Sequence, residues 1–143
     1  NVFDDDYEFD LGKADLLRDG SDVTLIASGV CVANALQAAE TLAQEGVSAR
    51  VLNIHTIKPI DADAVIKAAS ETGALVTAEN HNVIGGLGSA VAEVLAEQRP
   101  TPLERVGVKD HFGQVGKAPY LMGVFGITAA DIAKAARKAI ARK

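Results

Sequence analysis

Tryptophan is absent from this 143-residue chain, cysteine and methionine occur once each, and aromatic residues make up only 4%. With so few rings, base recognition by stacking is excluded as a main activity, and the core must be built from Val, Ile, Leu and Ala. A single cysteine, Cys31, leaves no internal disulfide framework. Positive charge is also in deficit. The 14 Lys and Arg against 19 Asp and Glu give a net charge of −5 and a pI near 5.1, which sets aside nucleic acid and anionic membrane as partners. No apolar run approaches the roughly 18 residues that span a bilayer, and no signal peptide is apparent. These absences fit a cytoplasmic protein. The chain opens on Asn1 rather than Met, as expected of a processed protein or of a fragment of something longer.

What is present suits one domain with a real core, since 48% of the residues are hydrophobic. Residues 1–10 interleave Asp4, Asp5, Asp6, Glu8 and Asp10 with Phe3, Tyr7 and Phe9. That stretch reads as an acidic linker or connector whose rings dock on a neighbour, with residues 11–143 as the domain. A short strand is expected over residues 12–17, and the Asp19-Gly20 turn leads into a β-branched run at residues 23–27. The first strand is then antiparallel to the second, at an edge. Apolar residues at helical spacing follow over residues 32–44, with Gly46 as the stop, and a third strand over residues 49–54. Asp61 caps a helix that Gly73 ends, residues 75–78 form a fourth strand, residues 89–98 a helix, and residues 103–108 a fifth strand. After an irregular stretch over residues 109–126, Thr128 caps a final helix, with Asp131 three positions on. Strands alternating with helices imply an α/β fold with parallel strands and right-handed crossovers.

The stretch over residues 74–90 is the place for a site. An apolar run ends in Glu79, Asn80 and His81, passes through Gly85, Gly86 and Gly88, and enters a helix at Ser89. Open α/β sheets bind ligands at the carboxyl ends of their strands, where helix N-termini can hold anions. The register Gly86-Leu87-Gly88-Ser89-Ala90-Val91 departs from the dinucleotide fingerprint at its third glycine, where Val91 stands. Tight turning and close helix packing account better for these glycines. His55, His81 and His111 are 26 and 30 residues apart, outside short metal-ligand spacing. Each follows the end of an expected parallel strand, so all three belong at one edge of the sheet, for local bonding, contact with a neighbouring domain, or acid–base work. Cys31, at a strand-to-helix turn with no partner in sequence, reads as a small buried filler.

Several segments, in this order and spacing, carry a resemblance. They are Phe9-Asp10-Leu11-Gly12-Lys13-Ala14, Asp22-Val23-Thr24-Leu25-Ile26-Ala27-Ser28-Gly29 and His55-Thr56-Ile57-Lys58-Pro59-Ile60-Asp61. Glu79-Asn80-His81 then precedes the glycine turn, and Gly107-Val108-Lys109-Asp110-His111-Phe112-Gly113 precedes Phe125-Gly126-Ile127-Thr128. Together they resemble the C-terminal domain of transketolase-like thiamine diphosphate enzymes, and are most similar to the C-terminal subunit of two-subunit transketolases.

The resemblance implies a three-layer α/β/α domain with a five-stranded, mostly parallel sheet and an antiparallel first strand at its edge. It places thiamine diphosphate and Mg²⁺ in the parent enzyme, on a Gly-Asp-Gly metal motif and an activating glutamate that have no counterpart here. No catalytic, cofactor-binding or metal residue is therefore expected in this chain. The implied role is structural support of an enzyme that moves a two-carbon ketol unit between sugar phosphates. The implied partners are a preceding pyrimidine-binding domain or companion N-terminal subunit, within a homodimer. Glu79, His81, Gly85, Gly86, Gly88, Ser89, His55 and His111 then mark an edge for inter-domain contact or for a ligand. Deoxyxylulose-5-phosphate synthase and the beta subunit of 2-oxoacid dehydrogenases carry related segments and remain alternatives. So does a free-standing module that binds a small anion or nucleotide.

Overall fold

The computed structural model describes residues 2–143. Along the chain run β1 (Asp15–Arg18), β2 (Val23–Ala27), α1 (Cys31–Gln44), β3 (Ala49–Asn53), α2 (Ala62–Thr72) and β4 (Leu75–Asn82). They are followed by α3 (Leu87–Gln98), β5 (Leu103–Val108), α4 (Ala118–Phe125) and α5 (Ala129–Ile140). The strands form one five-stranded sheet in the order β1-β3-β2-β4-β5, parallel throughout except for β1. The expected three-layer α/β/α architecture is therefore present.

Every residue of β2 is buried, as a central parallel strand covered on both faces requires. Alternation then sorts the side chains. Leu25, Val51 and Val76 join the cluster that α1 and α5 cover, and Ile26, Leu52 and Leu75 the cluster that α2 and α3 cover. Small residues let the helices approach closely: Ala35, Ala38 and Ala39 of α1 and Ala133 and Ala136 of α5 are fully or almost fully buried.

Local chemistry sets most helix ends. Asp61 accepts from the Ala64 amide at 3.1 Å to cap α2, and Gly73 ends it in the left-handed conformation. Thr128 and Asp131 form the capping box of α5. Among the described residues no helix is long and apolar enough to cross a membrane.

The first strand lies at an edge and antiparallel, but not in the expected hairpin. Its partner is β3, with Asp15 opposite Asn53, while β2 lies one strand further in. The Asp19-Gly20 turn thus carries the chain past β3. Other boundaries moved as well: β1 covers Asp15–Arg18 rather than residues 12–17, β4 continues to Asn82, and α3 begins at Leu87. The stretch expected to be irregular contains α4, with Pro119 in its first turn and Gly126 as its left-handed stop.

Candidate functional site

At the carboxyl end of β4, period-2 alternation continues from Leu75 through Thr77 to Glu79, so Glu79 points under α3. It is buried, and its two carboxylate oxygens accept the amides of Leu87 and Gly88, each at 2.8 Å. Those are among the orphan donors at the start of α3, where Gly86 provides no capping side chain. The expectation that Glu79 faces a neighbouring domain is thereby corrected: the carboxylate is consumed inside this chain. The signal was available, because extending the period-2 count by two residues places Glu79 on the α3 side.

Two of the glycines are where they are because of that carboxylate and its neighbours. A Cβ at Gly86 would overlap Glu79 Oε2 and lie 2.8 Å from the Asn82 carbonyl oxygen. At Gly88 it would lie 2.8 Å from Arg105 Cδ and 2.9 Å from Thr77 Oγ1. Gly85 has open space but a φ of 80°, the left-handed region that favours glycine. Ser89 Oγ accepts the Gly85 amide at 2.9 Å and donates to the Val83 carbonyl at 3.0 Å, closing the turn on itself. Gly85, Gly86, Gly88 and Ser89 thus sit in one self-satisfied turn.

The three histidines lie along the carboxyl edge, but the fold does not gather them. The strands they follow or end, β3, β4 and β5, stand in the order β3-β2-β4-β5, so His55 and His111 are separated by three strand spacings, roughly 14 Å. The Nδ1 atom of His55 lies 2.8 Å from Thr56 Oγ1, and its ring packs 4.4 Å from that of Phe9. His81 Nδ1 lies 2.9 Å from the Asn82 carbonyl oxygen. His111 is exposed beside β5. No three His, Cys, Asp or Glu among the described residues are grouped to hold a metal ion.

Cys31 is fully buried, and burial, with a smaller contribution from the Glu79 charge, pushes its thiol up to about 11. It is held as the neutral thiol that a core filler would be. The acidic N-terminal segment docks on its own domain: Tyr7 donates to Asp15 Oδ2 at 2.9 Å, Phe3 packs on Tyr7, and Phe9 covers His55.

What sequence reasoning missed is the apolar character of the edge itself. The chain leaves the carboxyl ends of the parallel strands at Val30 after β2, Ile57 after β3, Ile84 after β4 and Phe112 after β5, and all four side chains are exposed. Because β1 is antiparallel, Phe9 and Leu11 reach the same edge, also exposed. Ile84 is 65% exposed, Phe112 101% and Val115 99%. These exposed apolar side chains all lie along one edge of the sheet.

Residues 12–132 match the family described as "Transketolase, C-terminal domain". The chain is 59% identical over 136 residues to the 6-deoxy-6-sulfo-D-fructose transketolase subunit of Clostridium sp. strain MSTE9, covering 95% of this chain and 42% of that protein. It is 41% identical over 138 residues to 1-deoxy-D-xylulose-5-phosphate synthase 1 of Geobacter sulfurreducens, covering 95% of this chain and 22% of that one. A solved structure described as a split gene transketolase, inactive beta4 tetramer, superposes with a TM-score of 0.93 at 47% identity, covering 99% of this chain and 45% of that chain. The chain therefore spans less than half the length of these relatives.

Proposed function

The chain belongs to the transketolase C-terminal domain family, and from that premise we propose that it is a non-catalytic domain supporting the assembly of a transketolase. The parent enzyme would transfer a two-carbon ketol unit between sugar phosphates. One observation carries this reading: the large apolar side chains exposed along the carboxyl edge, from Phe9 and Leu11 through Val30, Ile57 and Ile84 to Phe112. A domain that worked alone would cover or lose them, whereas a docking domain buries them.

The edge faces a pyrimidine-binding domain, in the same chain or in a companion subunit, and residues 1–10 are the connector. His55, His81 and His111 belong to this contact edge. Relatives named as subunits of divided transketolases support a companion subunit, and the 59% identity to one of them favours transketolase over deoxyxylulose-5-phosphate synthase. A homodimer of the parent and a cytoplasmic location complete the reading.

Thiamine diphosphate and Mg²⁺ belong to the parent enzyme in this reading, and no residue of this chain is assigned to them. Glu79 has both oxygens committed to backbone amides, and no acidic cluster among the described residues could hold the cation. No step is therefore assigned to this chain.

The test is an Ile57→Asp/Ile84→Asp double variant of the full-length protein assembled with its companion subunit. Both positions are exposed, so thermal unfolding of this domain stays within a few degrees, while transketolase activity and dimer content fall. Unchanged activity and dimer content would sink the docking reading. Calorimetry of this chain alone with thiamine diphosphate and Mg²⁺ is expected to show no specific binding.

A further inference from the structure

The acidic segment ahead of β1 sorts its side chains by chemistry. Phe3 and Tyr7 are half-buried, while Asp4, Asp5, Asp6, Glu8 and Asp10 are exposed. A turn closed by the Tyr7 amide on the Asp4 carbonyl, at 3.3 Å, brings Phe3 back onto Tyr7, with ring centroids 4.1 Å apart. Five carboxylates gain nothing from lying against a chain of net charge −5, so the contact rests on the rings and on a few polar anchors.

Those anchors gather at the end of the β1 and β3 pair. Asp15 Oδ2 accepts the Tyr7 hydroxyl at 2.9 Å and the Asn53 side-chain amide at 2.8 Å. Further along, Thr56 Oγ1 accepts the Gly12 amide at 3.3 Å, and Asp61 Oδ2 accepts the Ala14 amide at 3.0 Å. Between them the Phe9 ring packs on His55. The Nε2 atom of His55 is buried with no hydrogen-bond partner among the described residues, 3.9 Å from Asp15 Oδ2.

A buried nitrogen left unpaired is a cost of the closed arrangement, and opening the segment to water would remove it. One hydroxyl bond and two ring contacts stand against that cost and against the entropy of ordering the segment. Closure is therefore held by a narrow margin. The same segment carries part of the exposed apolar edge: Phe9 is 60% exposed and Leu11 70%, although the chain on either side of them is anchored. They keep those places only while the segment is closed.

We propose that residues 3–11 are a strap, latched by Tyr7 on Asp15 and by Phe9 on His55, whose closure completes the edge on which the preceding domain or companion subunit docks. This rests on the docking role proposed for that edge. An open strap withdraws Phe9 and Leu11, and apparent affinity falls with the fraction of molecules that remain closed.

The test is Phe3→Ser/Tyr7→Ser in the full-length protein, because neither ring belongs to the exposed edge. Hydrogen exchange over residues 9–12, the Gly12 amide included, speeds up about tenfold or more, while thermal unfolding stays within a few degrees. Association with the companion subunit weakens about fivefold or more. Tyr7→Phe, which keeps the ring and loses only the hydroxyl, gives a smaller rise in exchange over the same residues. Unchanged exchange in the double variant would show that there is no latch, and faster exchange with unchanged association would show that closure does not serve docking; either result overturns the proposal. Ile57→Asp/Ile84→Asp separates the two readings, since it lowers association and leaves exchange in the strap as it was. Association that survived that variant would remove the docking edge and the coupling with it, while faster exchange in Phe3→Ser/Tyr7→Ser would still show the latch.

Discussion

The connection after β4 and the connection after β5 leave the same edge of the sheet, are both rich in glycine, and both lead into helices. Only the first is filled by its own chain. After β4, the Glu79 carboxylate, the Ser89 hydroxyl and the tight contacts of Gly86 and Gly88 satisfy one another. After β5, nothing lies within 4 Å of a Cβ built on Gly113 or Gly123, and Phe112 and Val115 stand bare. Gly86 and Gly88 are thus packing requirements and Gly113 a matter of surface, while a Cβ on Gly116 would lie 2.7 Å from Tyr120 Cδ1 within its own connection. The residues proposed for assembly differ from those that hold the fold.

The comparison breaks most easily at Gly86. Gly86→Val forces a side chain into the Glu79 carboxylate, which has no other donors, and should cost at least about 3 kcal/mol or abolish folding, as read by denaturant unfolding. A fully stable Gly86→Val that lost affinity for an anion would instead favour the binding-module reading. Next in size, Glu79→Ala removes two charge-assisted bonds at the start of α3 and should cost about 3 kcal/mol, with early hydrogen exchange at Leu87 and Gly88. Unaltered exchange there would show that the carboxylate does not hold the helix.

The second connection should respond in the opposite direction. Gly123 lies within α4 with a φ outside the left-handed region and open space around it, so Gly123→Ala should raise stability by about 0.5–1 kcal/mol. A loss in thermal unfolding would mean that α4 is packed more closely than the geometry allows. Smallest in stability is Phe112→Ser, expected to shift unfolding by no more than about 0.5 kcal/mol. Its effect should appear in association with the companion subunit, and intact association would remove Phe112 from the docking edge.

Much of this was legible in the linear chain. Gly73 and the Asp61 and Thr128 caps act within a few residues, and strand alternation follows from backbone geometry, so these elements could be read directly. The family, too, was legible, in the order and spacing of motifs such as His55 through Asp61 and Gly85 through Val91.

Other features depend on residues far apart in sequence. Pairing of β1 with β3 rather than β2 is a choice of neighbour across more than thirty residues of chain, and a turn signal at Asp19-Gly20 cannot distinguish the two. The pairing of Glu104 with Lys138 and Arg142 is likewise set by which strand and helix end the fold brings together. Composition, periodicity and spacing determined that this chain is an α/β domain of its family, because those properties are local. Only the tertiary structure decided that the apolar rim stays uncovered, because burial is settled by what the rest of the chain leaves exposed.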